Sequence, residues 1–297
     1  MKKKLGRAFA LLLSLSIVFT YFAGSFKPAA AKEYVDTSSY ESLAEIYKDY
    51  FKVGCACEAI SHWGSYTANK EIGDPNKEAV IAGLFNSITC GNELKPAYNF
   101  DPTSETLFKV DKAGEEMLNW AKENSSMRFH VLVWHSQVDA RFFAKDFKAT
   151  SNGVATNDGS QELDEECLTD RDTLIDRLRR YIYGAMEYLY SNGYAETVYA
   201  MDVVNEAVDE GKDDGLRRSY WYKIIGPEFL YYAFLFAREA EVKYSKEYAS
   251  LYGLDPNGDL SSIQPKLFYN DYNEWFSRRI NITIDFITTD PGTQISR

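Results

Sequence analysis

The stretch VYAMDVVNEAVDE (residues 198–210) passes from a nearly unbroken apolar run, Val198 to Val204, straight into Asn205 and Glu206. A short apolar run rich in valine and bounded by polar residues reads as a strand buried on both faces, the condition of strands in a parallel sheet. Glu206 then stands at that strand's C-terminal end. In barrels of alternating strands and helices, that end carries the chemistry.

The same rhythm recurs on both sides. FKVGCACEA (51–59) follows an amphipathic YESLAEIYKDY (40–50), and LFNSITCGNE (84–93) follows NKEAVIAGL. RFHVLVWHS (128–136) follows KAGEEMLNWAKEN. The run at 198 follows a long helical pattern from Arg171 that closes at Gly193, a helix C-cap. KLFYND (266–271) follows EFLYYAFLFAREAEVKYS. Strands alternating with helices predict an α/β fold of the (β/α)8 barrel type, with about five βα units visible and a divergent tail. Each strand ends in chemically able residues: Glu58; Asn92, Glu93 and Lys95; His135 and Gln137; Asn205 and Glu206; Asn270 and Asp271. A doubly wound sheet also binds ligands at strand ends, but the first turn here lacks a glycine-rich phosphate cradle. The segment 147–170 is polar and reads as a surface loop.

Residues 1–31 read as a secretory signal peptide. Lys2, Lys3, Lys4 and Arg7 precede the apolar ALLLSLSIVFTYFAG, and Ala29-Ala30-Ala31 form an Ala-x-Ala cleavage site. Export is expected, with no membrane association after cleavage. Loss of the leader removes five positive charges and takes the formal net charge from -11 to -16. A chain that acidic repels nucleic acid and anionic membranes and favours a neutral substrate. Four cysteines are too few for a disulfide scaffold, and Cys55, Cys57 and Cys90 sit in apolar runs as small hydrophobes. Three histidines without ligand spacing imply no metal, and no cofactor is expected.

Cleaving a glycosidic bond with retention takes two carboxyl groups about 5–5.5 Å apart, one acid/base and one nucleophile. Glu206 suits the first role, although an Asn-Glu pair can also simply cap a helix. Context favours chemistry. The blocks FNSITCGNELKP, HVLVWHSQ, DVVNEAVDE and LFYNDYNE occur in that order, on the second to fifth strands. Together they resemble glycoside hydrolase family 10, the secreted endo-1,4-β-xylanases built on a (β/α)8 barrel, over roughly residues 40 to 275. The resemblance implies Glu206 as acid/base and Asn205 as the donor to the sugar 2-hydroxyl. It implies Asn92, Lys95 and His135 as sugar contacts on the non-reducing side, and Tyr272 on the acceptor side. Xylan and xylo-oligosaccharides are the implied ligands. His130 is expected to be a satisfied wall histidine, Trp134 to pack the barrel and Asp271 to be structural. Trp63, Tyr66 and Trp221 are candidate sugar platforms, though with aromatics at 15% most such rings will be core or surface filler.

Three departures stand out. The family often has a glutamate where this chain has Gly91, which removes one substrate hydrogen bond. Arg141 stands where a roofing tryptophan is usual, and this predicts weaker binding there. The family's nucleophile lies in a Thr-Glu-Leu-Asp-like motif on the seventh strand, and its partner histidine on the sixth. Neither motif occurs in this sequence, where no histidine follows His135. The domain reading is therefore leader 1–31, a five-eighths barrel over 32–275 and a divergent tail over 276–297, which reads as a frameshift or premature stop. The leading reading is a secreted endo-1,4-β-xylanase by descent, with little or no turnover expected in this form and the edges of its first and fifth strands left unpaired. The alternative is a non-catalytic xylan-binding protein or inactive fragment.

Overall fold

The structure is a computed structural model that describes residues 39–59, 70–148 and 163–272. The leader, the cleavage site, Trp63, Tyr66, most of the polar loop and the tail from 276 lie outside the described residues. Five strands form one sheet in chain order: β1 (Gly54–Cys57), β2 (Ser87–Cys90), β3 (Met127–Trp134), β4 (Val198–Asn205) and β5 (Lys266–Asn270). Every neighbouring pair is parallel. Among the described residues this is the strand order expected of the barrel, five parallel strands in sequence. Among the described residues, β1 and β5 each pair on one side only.

Helices cross between the strands. They are α1 (Leu43–Ile46), α2 (Pro75–Leu84), α3 (Pro96–Asn99), α4 (Lys112–Asn124), α5 (Arg171–Ser191), α6 (Tyr220–Ile225) and α7 (Phe229–Glu247). The main crossover helices start where an aspartate accepts from an otherwise orphaned backbone N–H. Asp74 caps α2 through Asn76, Asp111 caps α4 through Gly114, and Asp170 caps α5 through Thr173. Helix α5 ends as the sequence predicts, with Gly193 in the left-handed region at φ 75°. Its buried face carries Leu174, Leu178, Tyr181, Ala185 and Leu189. Helix α7 buries Ala233, Ala237 and Ala240. The two helices are joined by Tyr183–Tyr244 and by Tyr183 donating to Glu239.

One expectation is only partly met. The amphipathic segment 40–50 forms just one helical turn, and Tyr40, Leu43, Ile46, Tyr47, Tyr50 and Phe51 remain exposed. A helix this short is marginal unless its apolar face is buried, and none of those six side chains is buried. Cys57 and Cys90 are buried and Cys55 half-buried, all as free thiols.

Candidate active site

The C-terminal ends of the strands carry the polar residues, and each is positioned by the strand that precedes it. Asn205 is the last residue of β4, and its side chain is 2% exposed. Asn270 at the end of β5 donates to its amide oxygen at 2.8 Å. Turning that amide over would set its oxygen 3.1 Å from Trp134 Nε1 and its nitrogen 3.2 Å from the Asn270 carbonyl, so Asn270 holds Asn205 either way and Trp134 joins in the turned form.

Glu206 follows with φ 54°, a left-handed backbone that non-glycine residues rarely adopt. That conformation turns the carboxylate away from the strand, and the surroundings fix it. The Glu206 amide donates to the Asn270 carbonyl at 2.8 Å, and the Arg217 guanidinium donates to the Glu206 carbonyl at 3.0 Å. The next two amides, of Ala207 and Val208, both donate to the Tyr269 hydroxyl. Tyr269 in turn donates to Asp271, and burial beside that carboxylate pushes its own pKa up. The Glu206 side chain accepts from Trp134 Nε1 at 3.0 Å.

Asn92 and Lys95 form a second cluster just beyond β2. The Asn92 amide oxygen accepts from Lys95 Nζ at 3.1 Å and from Gln137 Nε2 at 2.8 Å, and its nitrogen donates to Glu58. Lys95 also donates to Gln137 Oε1 at 2.6 Å and lies over the Trp134 ring, 5.2 Å from its centroid. Burial holds the Lys95 ammonium below the usual lysine range, against the opposing pull of Glu93 and Glu206. Trp134 thus joins the clusters, with its edge on Glu206 and its face under Lys95.

His135 stands edge-on to Trp134, with ring centroids 5.8 Å apart. Its Nδ1 is buried without a hydrogen-bond partner among the described residues. Burial, reinforced by the Arg217 charge, lowers its pKa from 6.5 to about 4, so the ring is neutral at pH 7. Tyr272 is 43% exposed, and its hydroxyl accepts from Arg217 at 3.4 Å, which sets it beside the Glu206 turn.

Beneath the site, Asp202 is 1% exposed inside β4. It accepts from Arg128 at 2.5 and 3.0 Å and pairs with His130 Nδ1 at 2.9 Å. Arg128 continues to Asn270 at 3.1 Å, linking this buried pair to Asn205. His130 is therefore the satisfied wall residue expected, and Asp271, which accepts from the Tyr269 hydroxyl and the Val208 and Tyr272 amides, has the structural bonds expected.

All six sequence-predicted residues thus stand at the strand ends. Asn92 and Lys95 touch each other, Asn205 and Glu206 share Trp134, and Tyr272 joins through Arg217. Two expectations are corrected. Trp134 is only partly buried, and its indole N–H is bonded to Glu206 rather than packed away among the barrel's apolar side chains. Trp221 is no platform. It is 2% exposed, donates to the Trp134 carbonyl at 2.9 Å and packs on Phe142 and Phe143. Arg141 is paired with Asp139 through two nitrogens. Arg217 was missed altogether: it lies eleven residues past Glu206 in a loop, where no sequence pattern marks it.

Comparison with known proteins fits this geometry. The sequence model of Glycosyl hydrolase family 10 matches residues 42–289. The chain is 36% identical over 232 residues to an endo-1,4-beta-xylanase A of Caldicellulosiruptor sp. (strain Rt8B.4), covering 78% of this chain and 27% of that protein. It is 33% identical over 249 residues to the endo-1,4-beta-xylanase A of Thermotoga maritima, covering 83% and 18%. Among solved structures, an endo-1,4-beta-xylanase from Caldicellulosiruptor owensensis superposes with a TM-score of 0.57 at 28% identity, over 83% of this chain and 57% of that one. A mutant of the intracellular xylanase from Thermoanaerobacterium saccharolyticum, in complex with xylotriose, gives 0.61 at 26% identity, over 84% and 62%. The chain therefore spans about a quarter or less of these curated relatives, and less than two thirds of these solved chains.

Proposed function

The chain belongs to glycosyl hydrolase family 10, and from that premise we propose that its strand ends form the sugar-gripping and proton-donating part of an endo-1,4-β-xylanase site. The bond attacked is the internal β-1,4 linkage of xylan. Glu206 is the general acid/base of a retaining reaction, and Asn205 beside it grips the sugar 2-hydroxyl. Asn92, Lys95 and His135 hold the ring on the non-reducing side, and Tyr272 lines the acceptor side. The observation that carries the reading is the left-handed backbone at Glu206, clamped by Asn270, Arg217 and Tyr269. Strain of about 1–3 kcal/mol persists only where its surroundings over-determine it, and such residues cluster at functional sites.

Retention needs a second carboxylate about 5–5.5 Å from the acid. Among the described strand-end carboxylates, both oxygens of Glu93 are taken by the Ala59 and Asn92 amides. Glu58 is held by Asn92 and Lys70, and Asp271 by Tyr269 and two amides. Each of these three carboxylates is thus engaged by its own neighbours rather than paired with Glu206. On this reading the described residues supply the sugar grip and the acid/base without a second catalytic carboxylate, and residues 32–297 alone are expected to bind xylo-oligosaccharide and release little or no sugar. Calorimetry with xylohexaose, run beside a reducing-sugar assay on xylan, tests both halves. Sugar release abolished by Glu206→Gln would refute the second, and absence of binding by folded protein would refute the first. The leader makes the protein secreted, acting on a neutral polysaccharide rather than on nucleic acid or membrane. N-terminal sequencing of protein from the culture medium should then begin at Lys32.

A further inference from the structure

Glu58 follows β1 and Gly91 follows β2, side by side: the Gly91 amide donates to the Cys57 carbonyl at 2.7 Å. A Cβ built on Gly91 would lie 2.5 Å from Glu58 Cγ, 2.8 Å from its Oε1 and 3.0 Å from its Cδ. Gly91 has no positive φ, so it serves here for space rather than for backbone conformation. The Glu58 side chain lies across β2 in the volume that a side chain at 91 would occupy.

From there it reaches Asn92, whose amide donates to Oε1, and it pairs with Lys70 through Oε2. Lys70 is 7% exposed on its side chain while Glu58 is 21% exposed, so the cation is covered and part of the Glu58 side chain stays accessible beside Asn92. An ionised carboxylate has about four acceptor sites. Among the described residues Glu58 uses one on each oxygen. The free pair, fixed by Lys70 and Asn92, suits hydroxyl donors, and adjacent hydroxyls on one pyranose ring can engage both oxygens.

Resting on the xylan-site reading above, we propose that Glu58 is a sugar-binding, specificity-determining residue, a carboxylate delivered from β1 into the space Gly91 leaves open on β2. It accepts from neighbouring hydroxyls of an unsubstituted xylosyl ring beside Asn92 and Lys95. The requirement is for a carboxylate at that point in space, whichever strand carries it.

The test is calorimetric titration of xylohexaose into the chain and three variants, with a melting curve for each. Glu58→Ala should bind at least about tenfold more weakly, since one lost charge-assisted hydrogen bond alone is worth that much. Glu58→Gln, which keeps the shape and one acceptor oxygen, should fall about threefold or more, since neutral acceptors are weaker. The double variant Glu58→Ala with Gly91→Glu moves the carboxylate to the neighbouring strand and should recover affinity to within about threefold. A purely structural role for Glu58 would not be rescued in this way. Wild-type affinity in Glu58→Ala or Glu58→Gln would overturn the assignment while leaving the xylan site standing. So would a double variant that melts like wild type and stays weak. Should the double variant melt early, the Glu58→Gln affinity decides. Failure of the folded wild type to bind would overturn the xylan site, and this assignment with it.

Discussion

Acidification should destabilise the fold through His135 in a way that can be isolated. The ring is held near pKa 4 in the folded chain against 6.5 when unfolded, chiefly by burial and then by the Arg217 charge. Between those values the unfolded chain binds a proton that the folded chain declines. Stability therefore falls as pH drops from 6.5 toward 4, and this contribution levels off outside that window. At pH 5 the unfolded imidazole is almost wholly protonated and the folded one about a tenth so, which costs about 2 kcal/mol, rising to about 3 kcal/mol at pH 4. Carboxylates titrate in the same range, so the comparison is with His135→Gln, which lacks the group. Urea unfolding of both proteins at pH 7.5 and pH 5, at fixed ionic strength, gives the two free energies. The gap between wild type and variant should shift by about 2 kcal/mol, with the wild type losing ground at pH 5. A gap constant to within about 0.5 kcal/mol, the scatter of a neutral surface change, would refute the buried, uncharged state assigned to His135.

Three further outcomes follow from the same contacts. Asp202→Asn keeps the shape but removes the charge that Arg128 and His130 share. It should cost about 2 kcal/mol in urea unfolding, toward the lower part of the range for charged hydrogen bonds because Arg128 is partly exposed. Trp221→Ala empties a fully buried site between Phe142 and Phe143 and should cost about 3–5 kcal/mol, read as a lowered urea midpoint. Trp134→Phe keeps the ring under Lys95 but deletes the N–H to Glu206. Xylohexaose affinity, measured by calorimetry, should drop about three- to tenfold, the value of one ordinary hydrogen bond, with the urea midpoint little changed.

Much of this protein can be read along the chain because its strands are apolar runs with polar ends. Val198–Val204 could only be a buried strand, and the residue after a parallel strand must emerge at its C-terminal mouth. Asn205 and Glu206, like Asn92 and Lys95, were therefore placed by local pattern alone. Gly193 marked a helix end for an equally local reason, and the structure adds Asp74, Asp111 and Asp170 as the caps of the helix starts. The helix over 40–50 shows the limit, since its propensity was legible but its burial was not.

What the sequence by itself determined is the order of βα units and the row of polar residues at their ends, since periodicity and capping depend on near neighbours. Only the tertiary structure decided which of those residues meet. Trp134 bonds Glu206 seventy-two positions away, and Arg217 clamps a carbonyl from a loop. Glu58 fills the gap of a glycine thirty-three residues on, in a different strand. Such contacts depend on strand register and on side chains competing for one volume, quantities that exist only after the sheet has closed its neighbours together.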